Sequence, residues 1–171
     1  MSAPKSRFDS VPAGAILSRP DAQALVERVV RMSKAESVNV SLGTNYNTNV
    51  RFADNQMSTA GSIVDAGLAV QSSYGPKHAV VTTNDFSDES LRRCVLQSEV
   101  LARLAPDDPE AMPELEPQRY VDVNAYMDST ANIGAAERAQ AALTALAPAR
   151  KAGDIKAAGF LVAGAACTAL G

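Results

Sequence analysis

The sequence holds a single histidine, His78, and imidazole is the side chain that most readily moves protons near neutral pH. It follows the Gly75-Pro76 pair in the stretch SYGPKHAVVTTNDFS. A zinc centre needs three or four converging ligands, and a second histidine is absent from the sequence. We therefore interpret His78 as a partly exposed strand residue. A contribution of its ring to a site shared with another chain stays open.

The two cysteines, Cys94 and Cys167, are far apart and form no CxxC pair, so a reducing, cytoplasmic setting is expected. Cys94 lies in an apolar helical stripe, which predicts a buried side chain and not a nucleophile. The sequence contains no GxSxG elbow, no GxxxxGK[ST] loop and no GxGxxG fingerprint. We accordingly assign no catalytic, cofactor-binding or metal-binding residue to this chain, and expect it to bind no zinc by itself.

Carboxylates are concentrated in the segment PDDPEAMPELEP, residues 106–117, which carries four prolines and five acids. Their order does not match the D-x-[DN]-x-[DN]-G calcium loop, so solvated acids are the better interpretation. The prolines exclude a regular helix or a central strand. We predict a long connection that wraps over the surface.

Charge and hydropathy restrict the partners of the chain. With 16 basic and 19 acidic residues well mixed, it has a net charge of −3 and no basic patch for nucleic acid or an anionic membrane. Residues 1–17 contain no signal-peptide core and are predicted to form a flexible arm. At 171 residues and 46% hydrophobic content, the remainder, residues 18–171, is expected to form a single domain.

Apolar residues at helical spacing predict three helices. The first begins after Ser18, with a stripe of Ala22, Leu25, Val26, Val29 and Ser33 at helical spacing. The second begins after Ser87 and the third covers about residues 133–151, where Pro148 is expected to kink or end it. The predicted stripe of the second is Leu91, Cys94, Val95, Ser98, Leu101, Ala102 and Ala105, and that of the third is Ala139, Ala142, Leu143, Leu146 and Ala147.

Alternation with a period of two predicts strands. One runs from Val38 to Leu42, and after the turn-like GTNYN a second contains Val50 and Phe52. A further hairpin turns at Gly75-Pro76 and resumes as HAVVTT. The uncharged end of the chain predicts a buried strand that is too short to span a membrane. Because such a strand would leave an apolar edge exposed, we expect the natural chain to continue. The fold class is α+β: a mainly antiparallel meander packed against two or three amphipathic helices.

From about residue 20 to the end, this order of elements resembles the N-terminal region of TldD/PmbA proteins. The resemblance rests on an arginine early in a strand, a small polar stretch, a G-x-x-V strand, the Gly75 hairpin and a T-x-D-x-S helix entry. The residues that carry it are Arg51, Ser58, Thr59, Gly61, Gly67, Val70, Gly75, and Thr83 through Ser87.

The resemblance implies a cytoplasmic zinc metallopeptidase that acts on unfolded or small peptides. Proteins of this family were formerly described as modulators of DNA gyrase. In that family one subunit carries an HExxxH zinc motif and pairs with a related subunit that lacks it. The motif is absent here. The resemblance thus implies an inactive N-terminal scaffold and dimerisation domain, whose sheet faces a peptide. It also implies that zinc is bound elsewhere in the full-length protein or by its partner subunit.

Two further functions stay open from the sequence. The first is a non-enzymatic PmbA-like subunit or protein-binding module without zinc, forming a homodimer or heterodimer with a TldD/PmbA-like chain. The second, DNA binding, is opposed by the acidic balance.

Overall fold

The computed structural model describes residues 16–113, 115, 116 and 118–171, so most of the predicted arm, residues 1–17, lies outside it. The α+β class is confirmed, because an antiparallel four-stranded sheet packs against helices in the strand order β3-β2-β1-β4. None of the helices in the described ranges has the length and apolarity that a membrane crossing requires. The elements are α1 Arg19–Val30, β1 Ser37–Ala53, β2 Gln56–Tyr74, β3 Lys77–Thr83, α2 Asp88–Leu104, α3 Asp128–Ala131, α4 Ala135–Lys151 and β4 Gly159–Leu170.

The chain divides into two compact units. Unit 1 contains the described residues up to Thr44, together with Asp65–Asp122 and Cys167–Gly171. Unit 2 contains Asn45–Val64 and Val123–Ala166. The expectation of a single domain over residues 18–171 stays a prediction.

The core of unit 1 lies between α1, α2 and one face of the sheet. Helix α1 begins as predicted, because the Ser18 hydroxyl oxygen accepts a hydrogen bond from the Asp21 N–H (3.3 Å). The four apolar residues of the predicted stripe are buried and share the core with alternate residues of the strands, whereas Ser33 lies beyond the end of α1 and is partly exposed. The core residues are Ala22, Leu25, Val26, Val29, Val40, Leu42, Leu68, Val70, Phe86, Leu91, Cys94 and Val95.

Helix α2 also follows the sequence prediction, with Ser87 as its N-cap. Cys94 is buried, as expected. Leu101 is an exception, since 48% of its surface is exposed. A turn of 100° per residue places Leu101 at the margin of the stripe centred on Leu91, Ser98 and Ala102, so the helix faces it towards solvent.

The predicted turn at GTNYN is wrong, because β1 continues through it as one strand of 17 residues. Thr44 and Thr48 are buried there, so β-branched residues maintain the period of two across the small and polar positions. The chain reverses instead at Asp54 and Asn55, whose φ angles of 53° and 62° are those of a type I′ turn. The Gly75-Pro76 hairpin is confirmed, with Tyr74 opposite Lys77.

Unit 2 is organised around the turn residue Asn55. Its backbone N–H donates to the Ala157 carbonyl (3.2 Å), and its side-chain oxygen accepts from the Ala157 N–H (2.8 Å). Its side-chain amide donates to the Ile155 carbonyl (2.7 Å), and its carbonyl accepts from Arg150 (2.6 Å). These four bonds attach the last turn of α4 and the segment after it to the β1–β2 turn.

Helix α4 buries Arg138, Ala142 and Leu146 on the predicted face and continues three residues past Pro148. The predicted terminal strand, β4, is present, but it is only half buried. Phe160 and Val162 are 60% and 57% exposed, because β4 is the last strand of the sheet order.

Candidate functional site

His78 lies in β3 opposite Ser73 of β2, with 42% of its side chain exposed. The prediction of a partly exposed strand residue is confirmed. Its Nδ1 atom lies 3.8 Å from the Asp108 carboxylate, an ion pair that forms only when the ring is protonated.

In unit 1, helices cover only one face of the sheet. The other face, which we call the open face, carries the residues that alternate with the core positions. Most of them are small or carry a hydroxyl or amide group. The open face comprises Asn39, Ser41, Ala69, Gln71, Ser73, His78, Val80 and Thr82.

Three depressions follow one another across the open face. The first, of about 500 Å³, is bordered by Gln71, Ser73 and His78. The second, of about 510 Å³, shares Gln71 with the first. The third, of about 440 Å³, shares Ser41 and Ala69 with the second. Together they form a shallow trough across the strands.

The proline-rich connection passes along this trough. We call its described residues, 105–113, 115, 116 and 118–122, the strap. The strap contains no helix or strand in its described part, as predicted for residues 106–117. Its Asp108 N–H donates to the Pro76 carbonyl (3.1 Å), and Tyr120 borders the second depression. The strap therefore frames the open face at both ends.

The end of the trough near the Gly75 hairpin is acidic. Glu36, Asp108 and Glu110 border the first depression, and none of the described residues that line it is a lysine or an arginine. The carboxylate of Glu36 accepts the Gly75 N–H (2.8 Å), which fixes its position beside the hairpin. A basic group of a ligand would be favoured here over an acidic one.

Metal ligands and reactive thiols are the groups that could give the described residues a catalytic role. Among them, no group of three or more His, Cys, Asp or Glu side chains could hold a metal ion. The Cys94 thiol contacts the Val81 carbonyl (3.4 Å), and burial raises its pKa, which keeps it protonated. The open face offers hydroxyl, amide and imidazole groups that can bind and align a ligand.

Strand β3 forms one edge of the sheet, and its backbone offers further hydrogen bonds. Residues that flank a two-residue turn form a hydrogen-bonded pair, here Tyr74 and Lys77. Alternation along the ladder then directs the N–H and C=O groups of His78, Val80 and Thr82 away from β2. We call these groups the β3 edge; their side chains lie on the open face.

The fold and the open face thus define a small α+β domain suited to binding. Residues 38–102, which run from β1 into α2, match the family model described as PmbA/TldA metallopeptidase domain 1. Over these residues the chain is similar to the N-terminal region of the TldD/PmbA family. No curated protein matches the sequence.

Solved structures share the fold at low sequence identity. TldE from Thermococcus kodakarensis superposes with a TM-score of 0.69 and 11% identity, over 86% of this chain and 34% of its own. A protein from Bacteroides thetaiotaomicron named a modulator of DNA gyrase superposes with a TM-score of 0.69 and 14% identity, over 91% of this chain and 37% of its own. A second protein named a modulator of DNA gyrase, from Thermotoga maritima, superposes with a TM-score of 0.57 and 12% identity, over 87% of this chain and 35% of its own. The chain spans about a third of the length of these structures.

Sequence reasoning found His78 and the hairpin, but it missed the open face as a unit. The signal was present, because Asn39, Ser41 and Gln71 alternate with apolar residues in strands whose other side is buried. The position of the strap over that face depends on tertiary contacts such as the hydrogen bond from the Asp108 N–H to the Pro76 carbonyl, and no local sequence pattern predicts such a contact.

Proposed function

We propose that the chain is the N-terminal domain of a TldD/PmbA-type metallopeptidase, acting as a scaffold and dimerisation domain that also holds an extended peptide. The family match over β1, β2, β3 and α2 is the observation that carries this proposal. By itself the domain hydrolyses nothing. A cytoplasmic location is part of the same proposal.

The β3 edge supports the peptide role. An extended peptide can add to an unpaired strand through main-chain hydrogen bonds, and pockets for alternate side chains then give selectivity. His78, Val80 and Thr82 direct their backbone groups outward and border the trough with their side chains. The acidic end, with Glu36, Asp108 and Glu110, favours a basic side chain at that end of the peptide.

Zinc chemistry does not fit the residues of this chain. It has one histidine, and the described carboxylates and cysteines form no group of three ligands. A zinc ion would supply an activated water for peptide hydrolysis, but its ligands would have to come from a region beyond this chain or from a partner subunit.

A binding measurement tests the peptide role. A fluorescent, extended peptide with a basic residue is titrated with the wild-type chain and with Val80→Pro. Proline removes an outward donor that β2 does not use, so the fold is expected to persist. Loss of one or two main-chain hydrogen bonds of about 0.5–1.5 kcal/mol each should weaken binding about tenfold.

The controls separate backbone from side-chain effects. Val80→Ala keeps the N–H and should retain most of the affinity, and a peptide N-methylated at alternate residues should bind weakly to wild type. Equal affinity of wild type and Val80→Pro, or equal affinity of the methylated peptide, would reject strand addition at the β3 edge.

The alternative is a PmbA-like partner subunit that lacks zinc. Reading the gene on both sides of the region that encodes this chain separates the two. An HExxxH motif in the same reading frame supports the peptidase subunit, while a full gene without it supports the partner subunit.

A further inference from the structure

The strap begins with a turn that is attached to the β2–β3 hairpin through one residue, Asp108. Its N–H donates to the Pro76 carbonyl (3.1 Å). Its Oδ1 atom accepts the Glu110 N–H (2.9 Å), which closes the turn from within. Its other carboxylate oxygen, Oδ2, lies 3.8 Å from Nδ1 of His78 in β3. We call residues 108–111 the strap turn.

The contact with His78 is the proton-dependent attachment of the strap turn. A neutral imidazole carries no charge to attract the Asp108 carboxylate, whereas a protonated one forms an ion pair with it. A second pair joins the strap to β3 close by, since Lys77 Nζ lies 4.0 Å from the Asp107 carboxylate. Lysine and aspartate side chains keep their charges in the range, about pH 5 to 8, in which imidazole changes its own. The strap therefore has one constant and one proton-dependent ion pair with β3.

Acidic groups surround the ring of His78 on the open face. Lys77, the preceding residue, alternates to the core side of β3, where Arg103 of α2 also stacks over the Tyr74 ring (4.4 Å). Asp108 is at ion-pair distance from the ring. The titratable and polar side chains that border the first depression with His78 are Glu36 before β1, Asp108 and Glu110 of the strap, and Ser37, Gln71 and Ser73 of the sheet.

We propose that His78 and Asp108 form a proton-dependent latch, which holds the strap turn against the hairpin when the ring is protonated. The strap turn forms one wall of the first depression, and Gln71 and Ser73 of the open face belong to the other. Release of the turn would widen the acidic end of the trough, and closure of the latch narrows it. The latch is defined by contacts within this chain, whereas its effect on a peptide rests on the proposed function.

The latch predicts how pH changes the affinity for a basic ligand. When the ring of His78 is neutral, the Asp108 carboxylate can pair with a lysine or arginine of a bound peptide. When the ring is protonated, it occupies this carboxylate and places a positive charge beside the same depression. A basic peptide should therefore bind more weakly as the pH falls, because its own charge stays constant over this range.

Amide hydrogen exchange tests the latch without a ligand. The Asp108 and Glu110 N–H groups report the strap turn, since their acceptors are the hairpin and the Asp108 side chain. After correction for intrinsic exchange, both should be about two- to fivefold better protected near pH 5.5 than near pH 8, the effect of a partly exposed ion pair. The Ala105 N–H, which bonds to the Leu101 carbonyl at the end of α2, is the control and should keep its protection.

Variants assign the pH dependence to the two partners. In His78→Gln and in Asp108→Asn it should disappear, and the asparagine keeps the acceptor for the Glu110 N–H. His78→Lys carries a permanent charge and should protect the strap turn at both pH values. Asp107→Asn is the matched control, because it removes the constant ion pair and should lower protection at both pH values by the same factor.

Equal protection of the Asp108 N–H at the two pH values in wild type would overturn the inference, as would a pH dependence that survives in His78→Gln. Titration of a fluorescent, lysine-containing extended peptide should give about two- to fivefold weaker binding near pH 5.5 than near pH 8 in wild type, and equal binding in His78→Gln. Peptide affinity that ignores pH while the strap turn responds would overturn the link between the latch and the trough. Absence of peptide binding at both pH values would reject the proposed function alone, since exchange still decides whether the latch exists.

Discussion

The buried hydroxyl pair of Ser72 and Ser98 tests how α2 is held against β2. Their oxygens lie 2.7 Å apart, and both side chains are fully buried. The Ser98 hydroxyl donates to the Val95 carbonyl (2.8 Å), so the shared proton between the pair must come from Ser72. This direction makes the two single alanine variants unequal.

Ser98→Ala leaves the Ser72 hydroxyl as a buried donor without an acceptor, which costs about 1–3 kcal/mol. The better helix propensity of alanine returns roughly 0.5 kcal/mol. Ser72→Ala leaves Ser98 bonded to Val95 and should cost about 0.5–1 kcal/mol. In the double variant no donor is orphaned, so its cost should not exceed that of Ser98→Ala alone.

Urea unfolding followed by circular dichroism gives the four free energies of the cycle, with hydrogen exchange in α2 to confirm that the same unit unfolds. Because the double variant should cost no more than Ser98→Ala, the coupling energy between the two sites should be at least the cost of Ser72→Ala, about 0.5–1 kcal/mol. Additive costs, or a larger cost for Ser72→Ala than for Ser98→Ala, would refute the assigned direction of the bond and the reasoning built on it.

Three further predictions concern the turn, the helix start and the histidine. Asn55→Gly tolerates the positive φ angle but loses two side-chain hydrogen bonds, so it should lower the free energy of unfolding in urea by about 1–3 kcal/mol. Asn55→Ala should cost about 1 kcal/mol more, because alanine is strained at a positive φ angle. Equal costs would argue against backbone strain at this turn. Hydrogen bonds from the Ser90 hydroxyl and the Ser87 N–H hold the pKa of Asp85 below 3.8. The stability that this carboxylate contributes is present above pH 3.8 and is lost as the pH falls through the lowered pKa. In Ser90→Ala, an NMR titration should show the pKa of Asp85 rising towards 3.8. His78→Ala should cost less than about 1 kcal/mol in urea, since its ring is partly exposed; a loss of several would show a structural role.

The elements that local patterns determine were predictable from the sequence. Ser18 and Ser87 cap their helices because a side-chain oxygen near free N–H groups is a local signal, and the Gly75-Pro76 turn likewise needs no distant contact. The GTNYN turn failed for the complementary reason. A stretch rich in turn-forming residues remains strand where its neighbours in the sheet bury Thr44 and Thr48.

The candidate site was less accessible from sequence, because it consists of surfaces and not of a motif. The trough needs the strap over the open face, and the strap is held by contacts such as the Asp108 N–H to the Pro76 carbonyl. The β3 edge depends on the strand order, which places β3 at one end of the sheet. Strand order arises from long-range pairing that periodicity does not encode.

Amide hydrogen exchange of β3, with and without an extended peptide, tests the central claim most directly. Because His78, Val80 and Thr82 direct their N–H groups away from β2, these amides should exchange fast in the free domain and slow together when peptide is added. The intervening amides, which already bond to β2, should change little. Unchanged exchange at His78, Val80 and Thr82 under saturating peptide would contradict the proposal that this domain holds peptide by strand addition.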